Sequence, residues 1–217
     1  MPLLRPLQGY YAILDVKGTS AHPAAIMSHA DKLLAADPCC LQLRAKQLGS
    51  AALCELGRAL RSRCTAKQIL LCVNDRFDIA LAVDADVVHL GQSDLPLGEV
   101  LKLRTRLALG RLQVGISTHD LAQARAAEAA GADYIGFGPI FSTQTKTDAD
   151  PAVGLAELQQ VAHTVRIPVV AIGGITLDNV QAVAKAGASA AAAIAAVDTA
   201  ADPTWAGRQI ARAFSTP

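Results

Sequence analysis

Residues 42–46 alternate polar and apolar side chains in a pattern that suits binding of a phosphorylated ligand. Gln42, Arg44 and Lys46 are separated by Leu43 and Ala45. Residues two apart in a strand point to the same side, so the three polar side chains are predicted to share one face. Two cations on one face suit a diphosphate. The alternative is that Arg44 and Lys46 form structural ion pairs in the core or at the rim.

Two aspartates, Asp75 and Asp94, are the best candidates for binding a metal ion. Mg²⁺ takes one or two protein carboxylates together with phosphate oxygens and water. Asp75 follows Asn74 and precedes a predicted helix over 76–83, so it could instead cap that helix. Asp94 precedes Leu95 and Pro96 and could instead support a turn.

Two further segments suit an anionic ligand. Thr143, Thr145 and Lys146 lie in a long loop that is rich in hydroxyl groups and ends in a cation. The alternative for this loop is a solvated segment with no ligand. Gly174 would let backbone approach a ligand closely, and it precedes a helix predicted over 176–186, whose first amides favour phosphate.

Two histidines, His89 and His119, are candidates for acid–base chemistry. A single histidine near the end of a strand is more often a hydrogen-bonded structural residue, and that alternative is kept for both. The sequence has no Ser/His/Asp order and no Cys/His pair of the kind used in nucleophilic catalysis.

These residues follow short apolar runs that alternate with segments of helical spacing. Several runs are apolar at successive positions, which is typical of parallel strands covered on both faces. Eight such units in a chain of 217 residues predict an α/β fold with one domain over residues 1–217, a (βα)8 TIM barrel. The rival, a doubly wound open sheet, usually has a glycine-rich first turn, which is absent here. The eight predicted strands are Tyr10–Val16, Cys39–Ala45, Gln68–Asn74, Asp86–Gly91, Gln113–Thr118, Tyr134–Gly138, Pro168–Gly174 and Ala190–Val197.

Composition narrows the possible functions. Hydrophobic residues make up 52% and charged residues 18%, which excludes a disordered chain. The net charge of +1 offers no basic excess for nucleic acid. The longest apolar stretch, Ser189–Val197, is too short to cross a membrane, and the first residues do not resemble a signal peptide. Five cysteines without CxxC spacing favour reduced thiols in a cytoplasmic protein.

Taken together, these segments resemble the thiamine phosphate synthase family. The resemblance runs in order from strand two to strand seven, and the GPIF-x-T-x-TK loop combined with ND and HLGQxD is highly specific. It implies an enzyme that joins a pyrimidine diphosphate to a thiazole phosphate with loss of pyrophosphate. The matching segments are Gln42–Lys46, Asn74–Asp75, His89–Asp94, Gly115–His119, Gly136–Lys146 and Ala171–Ile175.

The resemblance also implies roles for individual residues. Mg²⁺ would bind Asp75 and Asp94, and Arg44, Ser117 and Lys146 would act in catalysis. The pyrimidine diphosphate would be held by Gln42, Leu43, Arg44, Ala45, Lys46, Asn74, Ser117 and Lys146. The thiazole phosphate would be held by Thr143, Gln144, Thr145, Gly174, Ile194 and Ala195.

The sequence departs from the family at three alanines, and two other functions stay open. Ala45 stands where the family often has an acidic residue, Ala190 where it usually has glycine, and Ala195 where it usually has a hydroxyl residue. One alternative function is a thiazole tautomerase-like isomerase, which would need a general base and neither Mg²⁺ nor diphosphate cations. The other is a non-catalytic barrel that binds a phosphorylated ligand. The oligomeric state is left open.

Overall fold

The structure, a computed structural model, describes residues 5–18, 23–143 and 151–215. Eight parallel strands pair in chain order and close into a barrel, because β8 also pairs with β1. The strands are β1 Gly9–Asp15, β2 Cys40–Arg44, β3 Leu70–Asn74, β4 Val87–Leu90, β5 Gln113–Thr118, β6 Tyr134–Phe137, β7 Val169–Ile172 and β8 Ala190–Ala192. The predicted TIM barrel is therefore confirmed.

Helices follow the strands and cover the outside of the barrel. Within the described ranges they are α1 Pro23–Ala35, α2 Ser50–Lys67, α3 Phe77–Ala82, α4 Leu97–Arg106, α5 Leu121–Ala130, α6 Gly154–Thr164, α7 Val180–Lys185, α8 Ala195–Asp198 and α9 Pro203–Arg212. None of these helices is long and apolar enough to cross a membrane. All five cysteines are free thiols.

Two predicted elements differ from the structure by more than two residues at one end. The eighth apolar run splits, because β8 stops at Ala192 and α8 begins at Ala195. Alanine favours helices, and periodicity alone cannot separate a buried strand from a buried helix in a run of this length. The seventh helix begins at Val180 instead of Thr176, because the Asn179 side chain accepts from the Thr176 amide and holds a turn there.

The two faces of each strand serve two separate cores. Outward side chains such as Leu41 and Leu43 on β2 pack among the helices, in a cluster that includes Leu56 and Leu60 of α2. Inward side chains fill the barrel itself, and Tyr11 of β1 and Tyr134 of β6 are both fully enclosed there. Because both faces are buried, the strands are apolar at successive positions.

At the amino-terminal end of the barrel, two aspartates hold neighbouring strands to helices. Asp86, just before β4, accepts from the Leu71 amide of β3 at 2.8 Å and from Arg61 of α2 at 2.5 Å. Asp133, just before β6, accepts in the same way from the Val114 amide of β5 and from Arg104 of α4. These ion pairs lie at the end of the barrel that carries stability in this fold.

Glycines on β5 and β6 make the space that the inward rings occupy. A Cβ at Gly115 would lie 2.1 Å from the Tyr134 ring, and a Cβ at Gly136 would lie 3.0 Å from the His89 ring. Both glycines face inward, where Tyr134 of β6 lies against Gly115 and His89 of β4 lies against Gly136. The barrel interior is therefore shaped around Tyr134 and His89.

We expect Gly115→Ala to destabilise the fold by about 1–3 kcal/mol, since the added methyl group must displace the enclosed Tyr134 ring. Urea denaturation followed by circular dichroism measures the change. Gly98→Ala in α4 is the matched control, because nothing lies within 4 Å of its Cβ position. That control should leave stability unchanged or raise it by up to about 1 kcal/mol. Equal stability of the two variants would contradict the proposed fit.

Candidate active site

A cavity of about 450 Å³ opens at the carboxyl ends of the strands. This is the end at which TIM barrels carry their active sites. The cavity collects polar side chains from six successive strands, β1 to β6, and from the loops that follow several of them. Of the residues expected at the site, those that line it are Gln42, Arg44, Lys46, Asn74, Asp75, Asp94, Ser117, Thr143, Gly174 and Ile194.

The alternation predicted for residues 42–46 decides which of them reach the cavity. Gln42, Arg44 and Lys46 line it, whereas Leu43 and Ala45 are buried in the outer core among the helices. The side chains of Leu43 and Ala45 therefore do not reach a ligand in the cavity, which corrects the expectation that these side chains help to hold one. Successive side chains of a strand point to opposite faces, so the two sets cannot share the cavity.

Both cations at the cavity mouth have carboxylate partners. Arg44 Nη1 lies 2.5 Å from Asp15 Oδ1, and Lys46 Nζ lies 3.9 Å from Asp75 Oδ2. The structural ion pair kept as an alternative for Arg44 is thus present, and Arg44 lines the cavity as well. The Lys46 side chain is 58% exposed, so its pairing with Asp75 is loose and leaves it accessible to a ligand.

Asp15 is a residue of this site that the sequence reasoning missed. Its side chain is 2% exposed, and its Oδ2 has no hydrogen-bond partner among the described residues, although Lys17 Nζ lies 4.0 Å away. A buried carboxylate is costly unless it is paired, and the pairing with Arg44 fixes the position of the guanidinium. Asp15 lies two and four residues after the inward residues Ile13 and Tyr11, so the alternation along the strand predicts that its side chain also points inward. This alternation is the sequence signal that could have identified Asp15.

Asp94 lies close enough to Asp75 to affect its ionisation. Burial, followed by the hydrogen bond and the negative charge of Asp94, raises the pKa of Asp75 to about 6, although Lys46 and Arg44 oppose this shift. Asp75 does not cap α3, which begins without a side-chain cap. Asp94 does support a turn, since its Oδ2 accepts from the Gly91 amide at 2.6 Å.

The carboxylate pair fits a divalent cation. Two carboxylates that share a site repel each other when both are ionised, and a cation between them would remove that repulsion. No cluster of three or more His, Cys, Asp or Glu side chains that could hold a metal occurs in the described ranges. Two carboxylates suit Mg²⁺ nevertheless, because this ion commonly completes its shell with phosphate oxygens and water.

The opposite side of the cavity is formed by backbone after β7. Gly173 and Gly174 have φ values of 96° and 62°, in the left-handed region that favours glycine. A Cβ at Gly174 would lie 2.6 Å from the Ser142 carbonyl oxygen. Asn179 Nδ2 donates to the Gly174 carbonyl and so holds the turn in place. This segment offers backbone groups to a ligand at a position where a side chain would not fit.

The structure divides the remaining expected residues into three groups. Thr143 and Ile194 line the cavity. Ala195 is not among the lining residues: it is the exposed first residue of α8, so the expectation that it ends a strand is wrong, while its expected role in holding the thiazole phosphate stays a prediction. Gln144, Thr145 and Lys146 lie outside the residues that the structure describes.

The deep part of the cavity is a chain of hydrogen-bonded side chains from five strands. Gln42 Nε2 donates to the Tyr11 hydroxyl at 3.0 Å, which lies 3.0 Å from the Tyr134 hydroxyl. His89 Nδ1 lies 2.8 Å from the Tyr134 hydroxyl, and His89 Nε2 lies 3.0 Å from Ser117 Oγ. Burial raises the pKa of both tyrosines well above the ordinary value, so they keep their protons.

The two tyrosines were not among the residues expected at the site. In the sequence each belongs to an apolar run, where a tyrosine is usually a core residue. The contacts of the partly buried His89 with Tyr134 and Ser117 fit the structural alternative kept for it. His119 likewise has a structural contact, with Nδ1 2.6 Å from the Gly138 carbonyl oxygen.

The sequence and the fold both match known proteins of one kind. The model of the thiamine monophosphate synthase family matches residues 11–197. The thiamine-phosphate synthase of Halalkalibacterium halodurans is 50% identical over 149 residues, covering 69% of each chain. That of Bacillus velezensis is 35% identical over 211 residues, covering 95% of this chain and 91% of its own.

A solved structure agrees with the sequence matches. The thiamine phosphate pyrophosphorylase from Pyrococcus furiosus superimposes with a TM-score of 0.83 and 32% identity, covering 98% of both chains. The family match, over residues 11–197, includes the strands that build the cavity. The chain therefore belongs to the thiamine monophosphate synthase family.

Proposed function

We propose that the chain catalyses the condensation of 4-amino-2-methyl-5-(diphosphooxymethyl)pyrimidine with a thiazole phosphate, giving thiamine phosphate and pyrophosphate. The observation that carries this proposal is the meeting of two cations, Arg44 and Lys46, with two carboxylates, Asp75 and Asp94, in one cavity. Cations bind the oxygens of a diphosphate directly, while carboxylates bind them through a divalent ion.

The reaction breaks the bond between the pyrimidine methylene carbon and a diphosphate oxygen, and it forms a bond from the thiazole nitrogen to that carbon. Negative charge grows on the departing diphosphate. Arg44, fixed by Asp15, and Lys46 are placed to stabilise that charge, and Ser117 can donate a hydrogen bond to it. The thiazole nitrogen already carries a lone pair, so the protein needs no nucleophile of its own.

A magnesium ion held by Asp75 and Asp94 would neutralise charge on the diphosphate. The aminopyrimidine ring can stabilise a carbocation, which favours a dissociative path. Holding both substrates in line in one cavity removes much of the entropic barrier. The phosphate of the thiazole would bind on the side of Thr143 and Gly174, which both line the cavity.

The two alternative functions use fewer of these groups. A thiazole tautomerase-like isomerase would need a general base, and it would have no role for the cations and the carboxylate pair. A non-catalytic barrel that binds a phosphorylated ligand would have no use for a metal pair. Release of pyrophosphate that requires Mg²⁺ and both substrates separates these functions from the proposed one. The cytoplasmic location and the absence of a nucleic-acid partner stay predictions.

Asp75→Asn and Asp94→Asn should each lower the rate of pyrophosphate release at least tenfold, about 1.4 kcal/mol in the barrier. Each change removes a charged oxygen that would hold Mg²⁺. A coupled pyrophosphate assay over a range of Mg²⁺ concentrations measures the effect. Glu99→Gln in α4 is the control, since Glu99 pairs only with exposed Lys102 among the described residues. Full activity of either aspartate variant at limiting Mg²⁺ would defeat the assignment.

Lys46→Met should raise the KM for the pyrimidine diphosphate by roughly fivefold and leave the KM for the thiazole phosphate nearly unchanged. The lost ammonium group lies at the cavity mouth beside Asp75. Steady-state kinetics with each substrate varied in turn measures both constants. Lys102→Met, an exposed lysine outside the cavity, controls for loss of one positive charge. An equal rise in both KM values would place Lys46 away from the diphosphate.

Asp94→Asn should also lower the pKa of Asp75 in the metal-free protein. The substitution removes a neighbouring negative charge, so the Asp75 pKa should fall below 6 but stay above its ordinary 3.8, because the carboxyl stays buried. NMR titration of the Asp75 side-chain carbonyl carbon follows the change. An unchanged pKa would mean that burial alone causes the shift.

A further inference from the structure

The chain of side chains at the bottom of the cavity has a preferred direction of hydrogen-bond donation. It begins at the Gln42 amide, which can only donate through nitrogen, and it passes through the Tyr11 and Tyr134 hydroxyls to His89 and Ser117. Each tyrosine hydroxyl has one proton to donate. Since the Tyr11 oxygen accepts a hydrogen bond from Gln42, the Tyr11 hydroxyl can donate its own proton in a hydrogen bond to Tyr134.

If Tyr11 donates to Tyr134, then Tyr134 donates to His89 Nδ1. Nδ1 is then an acceptor, and the imidazole carries its proton on Nε2, which donates to Ser117 Oγ. The Ser117 hydroxyl proton is then not used for His89 and can be donated toward the cavity that Ser117 lines. In this direction every step joins a good donor to an oxygen or nitrogen acceptor.

The opposite direction is less favourable. If His89 Nδ1 donated to Tyr134, Tyr134 would donate to Tyr11, whose oxygen already accepts from Gln42. The Tyr11 proton would then need another acceptor, and the thiol of Cys72, which lies beside Tyr11, is only a weak one. Ser117 would donate to His89 and present only lone pairs to the cavity, which would repel an anionic ligand.

The barrel holds the two rings of this chain in fixed positions. The Tyr134 ring fills the space left by Gly115, and the His89 ring fills the space left by Gly136. Tyr134 is fully buried, and its ring centroid lies 5.4 Å from that of His89. A histidine fixed in this way can determine whether the Ser117 hydroxyl proton is directed at the imidazole or at the cavity.

We propose that His89 is a positioning residue that, together with Tyr134, turns the Ser117 hydroxyl into a hydrogen-bond donor to the departing diphosphate. This inference rests on the proposed function, because it assumes that the diphosphate lies beside Ser117. His89 acts through Ser117 and need not touch the substrate. The donation should matter most when negative charge has grown on the diphosphate, so its loss should lower kcat more than it raises KM.

Two substitutions of His89 separate its two nitrogens. In His89→Gln the side-chain amide reaches the position of Nε2 and can still donate to Ser117. In His89→Asn the shorter amide reaches the position of Nδ1, so it can still accept from Tyr134 but cannot reach Ser117. We expect kcat within about threefold of the original protein for His89→Gln and at least tenfold lower, about 1.4 kcal/mol, for His89→Asn. The KM for the pyrimidine diphosphate should change little in either.

A double-mutant cycle tests whether His89 acts through Ser117. Adding His89→Asn to Ser117→Ala should lower kcat by less than about twofold, since the group that His89 orients is already gone. Equal losses in the Asn and Gln variants would overturn the proposal, and so would a full further loss in the Ser117→Ala background. Thermal unfolding of each variant shows whether a loss of activity comes from a loss of fold.

Nitrogen-15 NMR of the imidazole tests the proposal without any activity measurement. The chain has five histidines, and the spectrum of His89→Gln identifies the missing resonances. We expect an unprotonated Nδ1 and a protonated Nε2 for His89, and a mixture of the two forms in Tyr134→Phe. A proton on Nδ1 of His89 would overturn the proposal. The proposed function fails separately, if the unmodified protein releases no pyrophosphate from the two substrates.

Discussion

Polar groups enclosed by a closed barrel must bond to one another, and the cavity of this protein is arranged around that constraint. An unpaired polar group in such a place costs more than a paired one gains. Gln42, Tyr11, Tyr134, His89 and Ser117 meet the requirement by forming one chain that crosses the interior. The glycines of β5 and β6 follow from the same constraint, because the rings need their space.

Nearer the mouth of the cavity, positively charged side chains are paired with carboxylates. Asp15, which is almost fully buried, fixes Arg44 by an ion pair, while Lys46 stays mostly exposed beside Asp75. The carboxyls of Asp75 and Asp94 lie close enough to raise the pKa of Asp75, which means that the site favours positive charge between them. A fixed guanidinium, an exposed ammonium group and a carboxylate pair together suit a ligand with several negative charges and a divalent ion.

Much of this arrangement could be predicted from the sequence, because it depends on periodicity. The eight apolar runs correspond to the eight strands, and the alternation over 42–46 placed Gln42, Arg44 and Lys46 on one face. The same alternation carries Leu43 and Ala45 to the outer core, a consequence that similarity to a family does not reveal. Ala195 was misplaced because an alanine-rich run does not mark where a strand ends and a helix begins.

Other parts depend on contacts between distant strands, which periodicity does not encode. Tyr11 and Tyr134 are ordinary apolar positions until the barrel closes and brings their hydroxyls to 3.0 Å. The pairing of Asp15 with Arg44 likewise requires the register between β1 and β2. Residues whose role comes from a partner on another strand are therefore the ones that the sequence left unmarked.

The aspartate–arginine pairs at the amino-terminal end of the barrel stabilise the fold independently of the loops at the cavity mouth. Asp86 with Arg61 and Asp133 with Arg104 hold helices to strands at the end away from the cavity. Loops at the cavity mouth can accumulate changes without loosening these bonds. Substitutions in these loops can therefore change which ligand the cavity binds while the barrel stays folded. A new ligand specificity can then evolve through intermediates that are all folded.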